Sequence, residues 1–162
     1  MGNYDHKFFE ADELIKDGKI AEAKTVLEDI IEEQPDYGRA HNHLGWIFET
    51  KLKEYAKAEE HYRSAMVFSP EYPAAYINYA YLLSTIGKFT ELENHLNKCL
   101  SIQGVSKSTI HNEFGLMYEV ECDMESAISS YKKAIINSVD DKTIETYQAN
   151  IERCKKKIEL LK

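Results

Sequence analysis

Proline and glycine are scarce in this 162-residue chain, at three and seven residues. A fold of many short strands needs frequent turns, so the shortage argues against a β-sandwich or barrel and for long helices. Cysteine is also rare, with Cys99, Cys122 and Cys154 far apart. An odd number at such spacing makes neither a disulfide framework nor a Cys-x-x-Cys metal pair, and a reducing, cytoplasmic setting is expected. No apolar run approaches the roughly 18 residues of a membrane span, so no membrane partner is expected. Met1–His6 lacks a basic stretch followed by an apolar one, so no signal peptide is expected, and His6 stands where a myristoylation motif after Gly2 needs Ser or Thr. Positive charge is in deficit, with 20 Lys/Arg against 28 Asp/Glu and a net charge of −8. That deficit disfavours a phosphate backbone as ligand, and no nucleic-acid partner is expected. The one basic stretch is residues 142–162, with six Lys/Arg against three Asp/Glu.

Arrangements that carry chemistry are missing as well. Gly104-Val105-Ser106-Lys107-Ser108-Thr109 resembles the end of a phosphate-binding loop, but it has no Gly before Lys107 and no preceding strand. It reads as a loop closed by a Ser or Thr helix cap. His41 and His43 are two apart, which a helix points to different sides; the expectation is an interface residue and a surface residue. His6, His61, His95 and His111 form no His-x3-His pair, so no metal is expected. Cys99 reads as a buried hydrophobe and Cys122 as a turn residue with no evident activating neighbour. The carboxylates are spread over solvated faces with no pair set apart for acid–base work. No cofactor and no enzymatic activity are expected.

What the chain does have is a repeat. Gly45, Ala80 and Gly115 follow one another at intervals of 35, and Ala11 lies 34 before Gly45. Leu44, Tyr79 and Phe114 precede them in the same rhythm. A second set follows in each copy: Ala23-x3-Leu27-x2-Ile30, Ala58-x3-Tyr62-x2-Ala65, Leu92-x3-Leu96-x2-Cys99 and Ala127-x3-Tyr131-x2-Ala134. Each copy thus carries two apolar stripes at helical spacing. Turn chemistry separates them at Asp17-Gly18, Gly87-Lys88 and Cys122-Asp123, and Pro35 and Pro70 close the first two copies. Small residues at the crossing let two helices approach, and stacked hairpins bury the stripe that one hairpin alone leaves exposed.

On these residues the sequence resembles the tetratricopeptide repeat family, over about residues 4–141. The second copy is clearest, with Leu44-Gly45, Phe48, Ala58, Tyr62, Ala65 and Pro70, and it carries an extra residue around Thr50–Tyr55. The third copy departs most, with Leu92 where the family prefers Ala, Gly104 where Pro would stand, and an extra residue near Lys107. The resemblance implies an all-α fold: a right-handed superhelical array of four hairpins, at about 4–37, 38–72, 73–106 and 108–141, forming one domain. Ile144, Tyr147, Ile151, Cys154, Ile158 and Leu161 make a further stripe, so about 142–162 is expected to be a capping helix. Arg153, Lys155, Lys156, Lys157 and Lys162 are expected to face largely outward. The same stripe would suit self-association.

In such arrays the first helices of successive hairpins line a concave groove. The resemblance therefore implies a ligand-facing line of Asp12, Trp46, Tyr81 and Leu116. Phe8, Asn42, Ile77 and Asn112 lie one turn earlier, and Ile15, Glu49, Ser84 and Glu119 one turn later. Aromatic rings such as Trp46 and Tyr81 are frequent anchors at interfaces. Asn42 and Asn112 suit the backbone of a bound peptide, and Glu49 and Glu119 suit a basic side chain. One subclass of the family grips carboxylated chaperone tails with a Lys, Asn and Arg clamp. The matching positions here hold Phe8, Asp12, His43, Ala74 and Asn78, or one repeat on Asn42, Trp46, Asn78, Thr109 and Glu113. Neither set is cationic, so chaperone-tail binding is not expected. The expected function is a protein-interaction module or adaptor, monomeric or weakly dimeric, that holds a peptide or helix of a partner. The alternative is a structural module that self-associates through its last helix or its groove.

Overall fold

The computed structural model describes residues 3–160; Gly2, Leu161 and Lys162 lie outside that range. The chain forms two compact units, residues 1–86 and 87–162. In the first unit α1 (Asn3–Lys16) pairs with α2 (Ile20–Glu33) and α3 (Gly38–Ile47) with α4 (Tyr55–Phe68), and α5 (Pro73–Thr85) packs on α3 and α4. In the second unit α6 (Phe89–Cys99) leads to the hairpin of α7 (Lys107–Val120) and α8 (Met124–Ile136), and α9 (Asp141–Leu160) packs on α8. No strand occurs among the described residues. The all-α class and the helical-hairpin organisation expected from the repeat are therefore what the chain adopts.

The stripes form the core. Ala23, Leu27 and Ile30, then Ala58, Tyr62 and Ala65, are fully buried in the first unit. Leu92, Leu96, Ala127, Tyr131 and Ala134 are fully buried in the second. Cys99 is buried beside His95 at 3.3 Å, and burial pushes its thiol up to about 12, far from a reactive thiolate.

The turns that follow α1, α5 and α7, and the π turn after α3, use one device. Gly18, Lys53, Gly87 and Cys122 all have positive φ, between 58° and 76°, and stand 34 or 35 residues apart. Such a left-handed residue ends a helix by turning the next amide back onto a free carbonyl. Lys19 N–H donates to Leu14 O at 2.8 Å and Asp123 N–H to Tyr118 O at 2.9 Å. In the second hairpin the reach is one residue longer, Glu54 N–H to Phe48 O at 2.9 Å, because Phe48–Leu52 forms a π-helical turn. The extra residue expected around Thr50–Tyr55 is absorbed there.

Two crossings rest on glycine. A Cβ on Gly45 would lie 2.7 Å from Tyr62 Cδ1, and one on Gly115 would lie 2.5 Å from Tyr131 Cε1. Each tyrosine ring is seated on a helix backbone that has no side chain at that point. Both hydroxyls then reach one turn along the same helix: Tyr62 donates to Glu49 at 2.7 Å and Tyr131 to Glu119 at 2.9 Å.

His41 behaves as the expected interface residue. Its Nε2 donates to Pro35 O at 2.9 Å, so its Nδ1 accepts from His61 Nδ1 at 3.0 Å. His61 stacks on Phe48 with ring centroids 5.3 Å apart. His43 is not the surface residue expected. Its Nε2 meets Asp12 at 3.1 Å and Phe8 packs edge-on at 4.7 Å, which ties α3 to α1.

Gly115→Ala is expected to destabilise the protein by about 2 kcal/mol, the typical penalty of overpacking. Tyr131→Leu in the same chain should recover part of that loss, with a coupling of about 1 kcal/mol or more in urea denaturation; strictly additive effects would refute the crossing as the cause. Burial first, and the neighbouring His41 second, lower the His61 pKa from 6.5 to about 4. The unfolded chain thus takes up the proton first, so the stabilisation is complete above about pH 6.5 and is lost as pH falls toward 4. Wild type should lose about 2 kcal/mol more than His61→Phe between pH 7 and 4.5; equal losses in denaturation at the two pH values would contradict this.

Candidate functional site

The first unit holds five of the groove residues expected from the repeat. Asn42 and Trp46 stand on α3, Glu49 in the π turn after it, and Ile77 and Tyr81 on α5. Asn42 is buried, and its side-chain oxygen accepts from Asn78 Nδ2 at 3.0 Å, which ties α5 to α3. Trp46 and Ile77 are half-buried. Tyr81 is the most open of the five, 41% exposed.

The π turn shapes the surroundings of Trp46. Lys51 Nζ lies 5.0 Å from the indole centroid. Residues five apart diverge on an α-helix but come into line on a π turn, where the ladder runs from i to i+5. The extra residue thus places a cation on the face of the indole. Thr50 Oγ1 adds a bond to Trp46 O at 2.8 Å. Asp12, expected in line with Trp46, is instead engaged by His43, with Lys16 Nζ at 3.7 Å.

Glu49 is 8% exposed. Among the described residues, its carboxylate accepts one hydrogen bond, from Tyr62. Burial raises its pKa, and the Tyr62 bond and the field of Lys53 offset that only in part. The carboxylate has shed most of its water, and among the described residues no cation forms an ion pair with it; Lys53 acts on it only through its field.

Asn112, Leu116 and Glu119, the expected groove residues of the second unit, are all met by α9. Asn112 accepts a long bond, 3.4 Å, from Asn150. Leu116 packs against the core of Met124, Ala127, Tyr131, Ile151 and Cys154. Glu119 is the centre of a network: Arg153 grips it with Nε at 2.8 Å and Nη2 at 2.7 Å, and Lys157 Nζ approaches to 2.6 Å. Arg153 also donates to Asn150 at 2.8 Å, which fixes the guanidinium from behind. The Arg153 bonds, followed by those of Lys157 and Tyr131, outweigh burial and hold the carboxyl down at about 2. Arg153 and Lys157, expected to face largely outward, are exposed to 45% and 44%, but their charged heads also reach Glu119, which that expectation did not include. The signal for the network was in the sequence, because each of the two glutamates stands four residues after a core glycine whose hairpin also carries a core tyrosine. No three His, Cys, Asp or Glu side chains converge as a metal site among the described residues, and no helix among them is long and apolar enough to cross a membrane.

Sequence models of the tetratricopeptide repeat match residues 10–76 and 73–105, together more than half of the chain. No curated protein matches the sequence. Among solved structures, a thermophilic protein of this repeat type from Thermus thermophilus, TTC0263, superposes with a TM-score of 0.74 at 15% identity, over 92% of this chain and 81% of its own. PilF of Pseudomonas aeruginosa superposes with a TM-score of 0.80 at 18% identity, over 95% and 69% of the two chains. YrrB, described as having an unusual peptide-binding site, gives 0.72 at 14% identity, over 94% and 76%. These likenesses establish the fold.

Arg153→Gln should destabilise the protein by about 2 kcal/mol at pH 7, in line with the value of hydrogen bonds to a charged group. Because the folded pKa of Glu119 is depressed to about 2, its stabilisation is complete above about 4.5 and is lost as pH falls from there toward 2. Urea denaturation at a series of pH values should therefore show the gap between wild type and variant closing in that window. A gap that stays constant to pH 2 would mean that the Glu119 contact is not its source.

Proposed function

Since the chain belongs to the tetratricopeptide repeat family, whose members generally mediate protein–protein interaction, we propose that it holds a peptide segment or helix of a protein partner against the first unit, through Asn42, Trp46, Glu49, Ile77 and Tyr81. The observation that carries this is the pair of large amphipathic rings, Trp46 and Tyr81. They occupy corresponding positions on α3 and α5, and neither is consumed by the core. Such rings offer much contact area for little conformational entropy. Asn42 and Asn78 form an amide pair beside them, suited to the backbone of a bound segment. Asn112, Leu116 and Glu119 belong to the same register, but α9 already serves as their partner, so the recognition role falls to the first unit. The role is that of an adaptor, in keeping with a family whose members are generally non-enzymatic scaffolds.

The test is affinity capture from a lysate of the source organism, comparing wild type with a Trp46→Ala, Tyr81→Ala double variant of unchanged helicity. A partner should be retained by wild type only. Titration of that partner with Trp46→Ala alone should show a loss of about thirtyfold, or about 2 kcal/mol, as for an interface anchor. Equal capture by both proteins would refute this assignment of the site.

A further inference from the structure

Glu49 and Glu119 occupy the same place in two hairpins. Each follows a glycine by four residues, each accepts a tyrosine hydroxyl from the facing helix, and each is 8% exposed. They differ in what meets the rest of the carboxylate. Glu119 receives a bidentate guanidinium and an ammonium from the helix that follows its hairpin. The helix that follows the hairpin of Glu49 is α5, and its register is fixed by a matching bond: Asn78 donates to Asn42 as Asn150 donates to Asn112. Three residues on from Asn150 comes Arg153; three on from Asn78 comes Tyr81. Four further along, Lys157 corresponds to Thr85. Both cations are absent from the first unit, and Glu49 has no ion pair among the described residues.

A buried carboxylate without a cation is an unfavourable arrangement unless something completes it. Resting on the groove assignment above, we propose that Glu49 receives an arginine side chain of the partner polypeptide, as Glu119 receives Arg153 within the chain. Arginine fits better than lysine because a fork of two N–H donors matches a carboxylate, and the chain itself uses that pairing at Glu119. Tyr81, at the register position of Arg153 and 41% exposed, supplies a flat face on which a guanidinium also stacks. The acidic charge of the protein favours the approach of such a segment. The raised pKa of Glu49 beside the depressed one of Glu119 reflects the same missing cation.

The experiment selects peptides from a random dodecapeptide display library on the immobilised full chain, using wild type, Glu49→Gln and Glu32→Gln. The last removes an exposed carboxylate of α2 and controls for net charge. Arginine should be enriched at one position on wild type and Glu32→Gln but not on Glu49→Gln. Replacing that arginine by uncharged, isosteric citrulline should weaken binding to wild type about tenfold or more, as expected for a charge-assisted pair, and leave binding to Glu49→Gln unchanged. Trp46, the single tryptophan, reports the titration by fluorescence. Arginine enrichment that persists on Glu49→Gln, or peptides that need Trp46 but no arginine, would overturn the proposal while leaving the groove reading intact. A selection that yields no peptide dependent on Trp46 and Tyr81 would overturn both.

Discussion

The seating of a tyrosine ring on a bare stretch of helix is the contact on which the two best-formed hairpins depend. At Gly45 and at Gly115 the space of a missing methyl group is filled by the ring of Tyr62 or Tyr131. A glycine inside a helix sacrifices about 1 kcal/mol of propensity relative to alanine, and burial of a full tyrosine ring more than offsets it. The choice is coupled along the sequence. Where the second helix offers tyrosine, the first offers glycine and, four residues later, glutamate. Where the second helix offers Leu27, the first offers Ala11 and then Ile15. Leucine has no hydroxyl, so no acceptor is needed. Glycine, tyrosine and glutamate therefore behave as one unit of three, used twice.

A glutamate drawn into this arrangement inherits a problem from it. The hydroxyl satisfies one oxygen, but a carboxylate that has lost its water needs more than one neutral donor. In the second unit α9 solves the problem from within the chain, with Arg153 held rigid by Asn150 and Lys157 added one turn later. The basic character of residues 142–162 thus has a structural use beyond solubility: part of it is directed inward, onto a carboxylate created by the hairpin before it. In the first unit the corresponding helix brings Tyr81 and Thr85, and the carboxylate keeps its deficit. The same three residues end as a closed structural element in one unit and as an unfinished one in the other.

Much of this was legible in the sequence. The 34- to 35-residue spacing located the hairpins of α1 with α2, α3 with α4 and α7 with α8, the turns and the core, because small residues at crossings and apolar stripes at helical period are strictly positional signals. The extra residue of the second hairpin was also visible, although its form was not. A π turn is one of several ways to absorb an insertion, and only the structure shows that it brings Lys51 over Trp46. The candidate site was legible as a set of register positions but not as a set of environments. Register places Asn42 with Asn112 and Glu49 with Glu119, yet the outcome at each depends on the next helix in space. His43 was misread for the same reason. Its place on α3 suggested solvent, whereas Asp12 and Phe8 of α1 stand across from it. Arg153 and Lys157 looked like a solvated face because a single helix read alone does not show that a carboxylate waits opposite.

This difference between position and environment bears on how a repeat protein comes to have a binding site at all. A repeat whose every carboxylate, amide and ring is matched by the following helix presents only finished surfaces. Recognition needs a position at which the following helix supplies something other than the matching group. Such a position is set by substitutions in the helix next door, not in the residue that does the recognising. At the site proposed for this chain, Tyr81 and Thr85 stand in the places of Arg153 and Lys157. Neither is a cation; among the described residues Glu49 keeps the Tyr62 donor, and at the same point stands an aromatic ring 41% exposed. The glutamate alone gives no hint of this, since both hairpins carry it; the information lies in its neighbour.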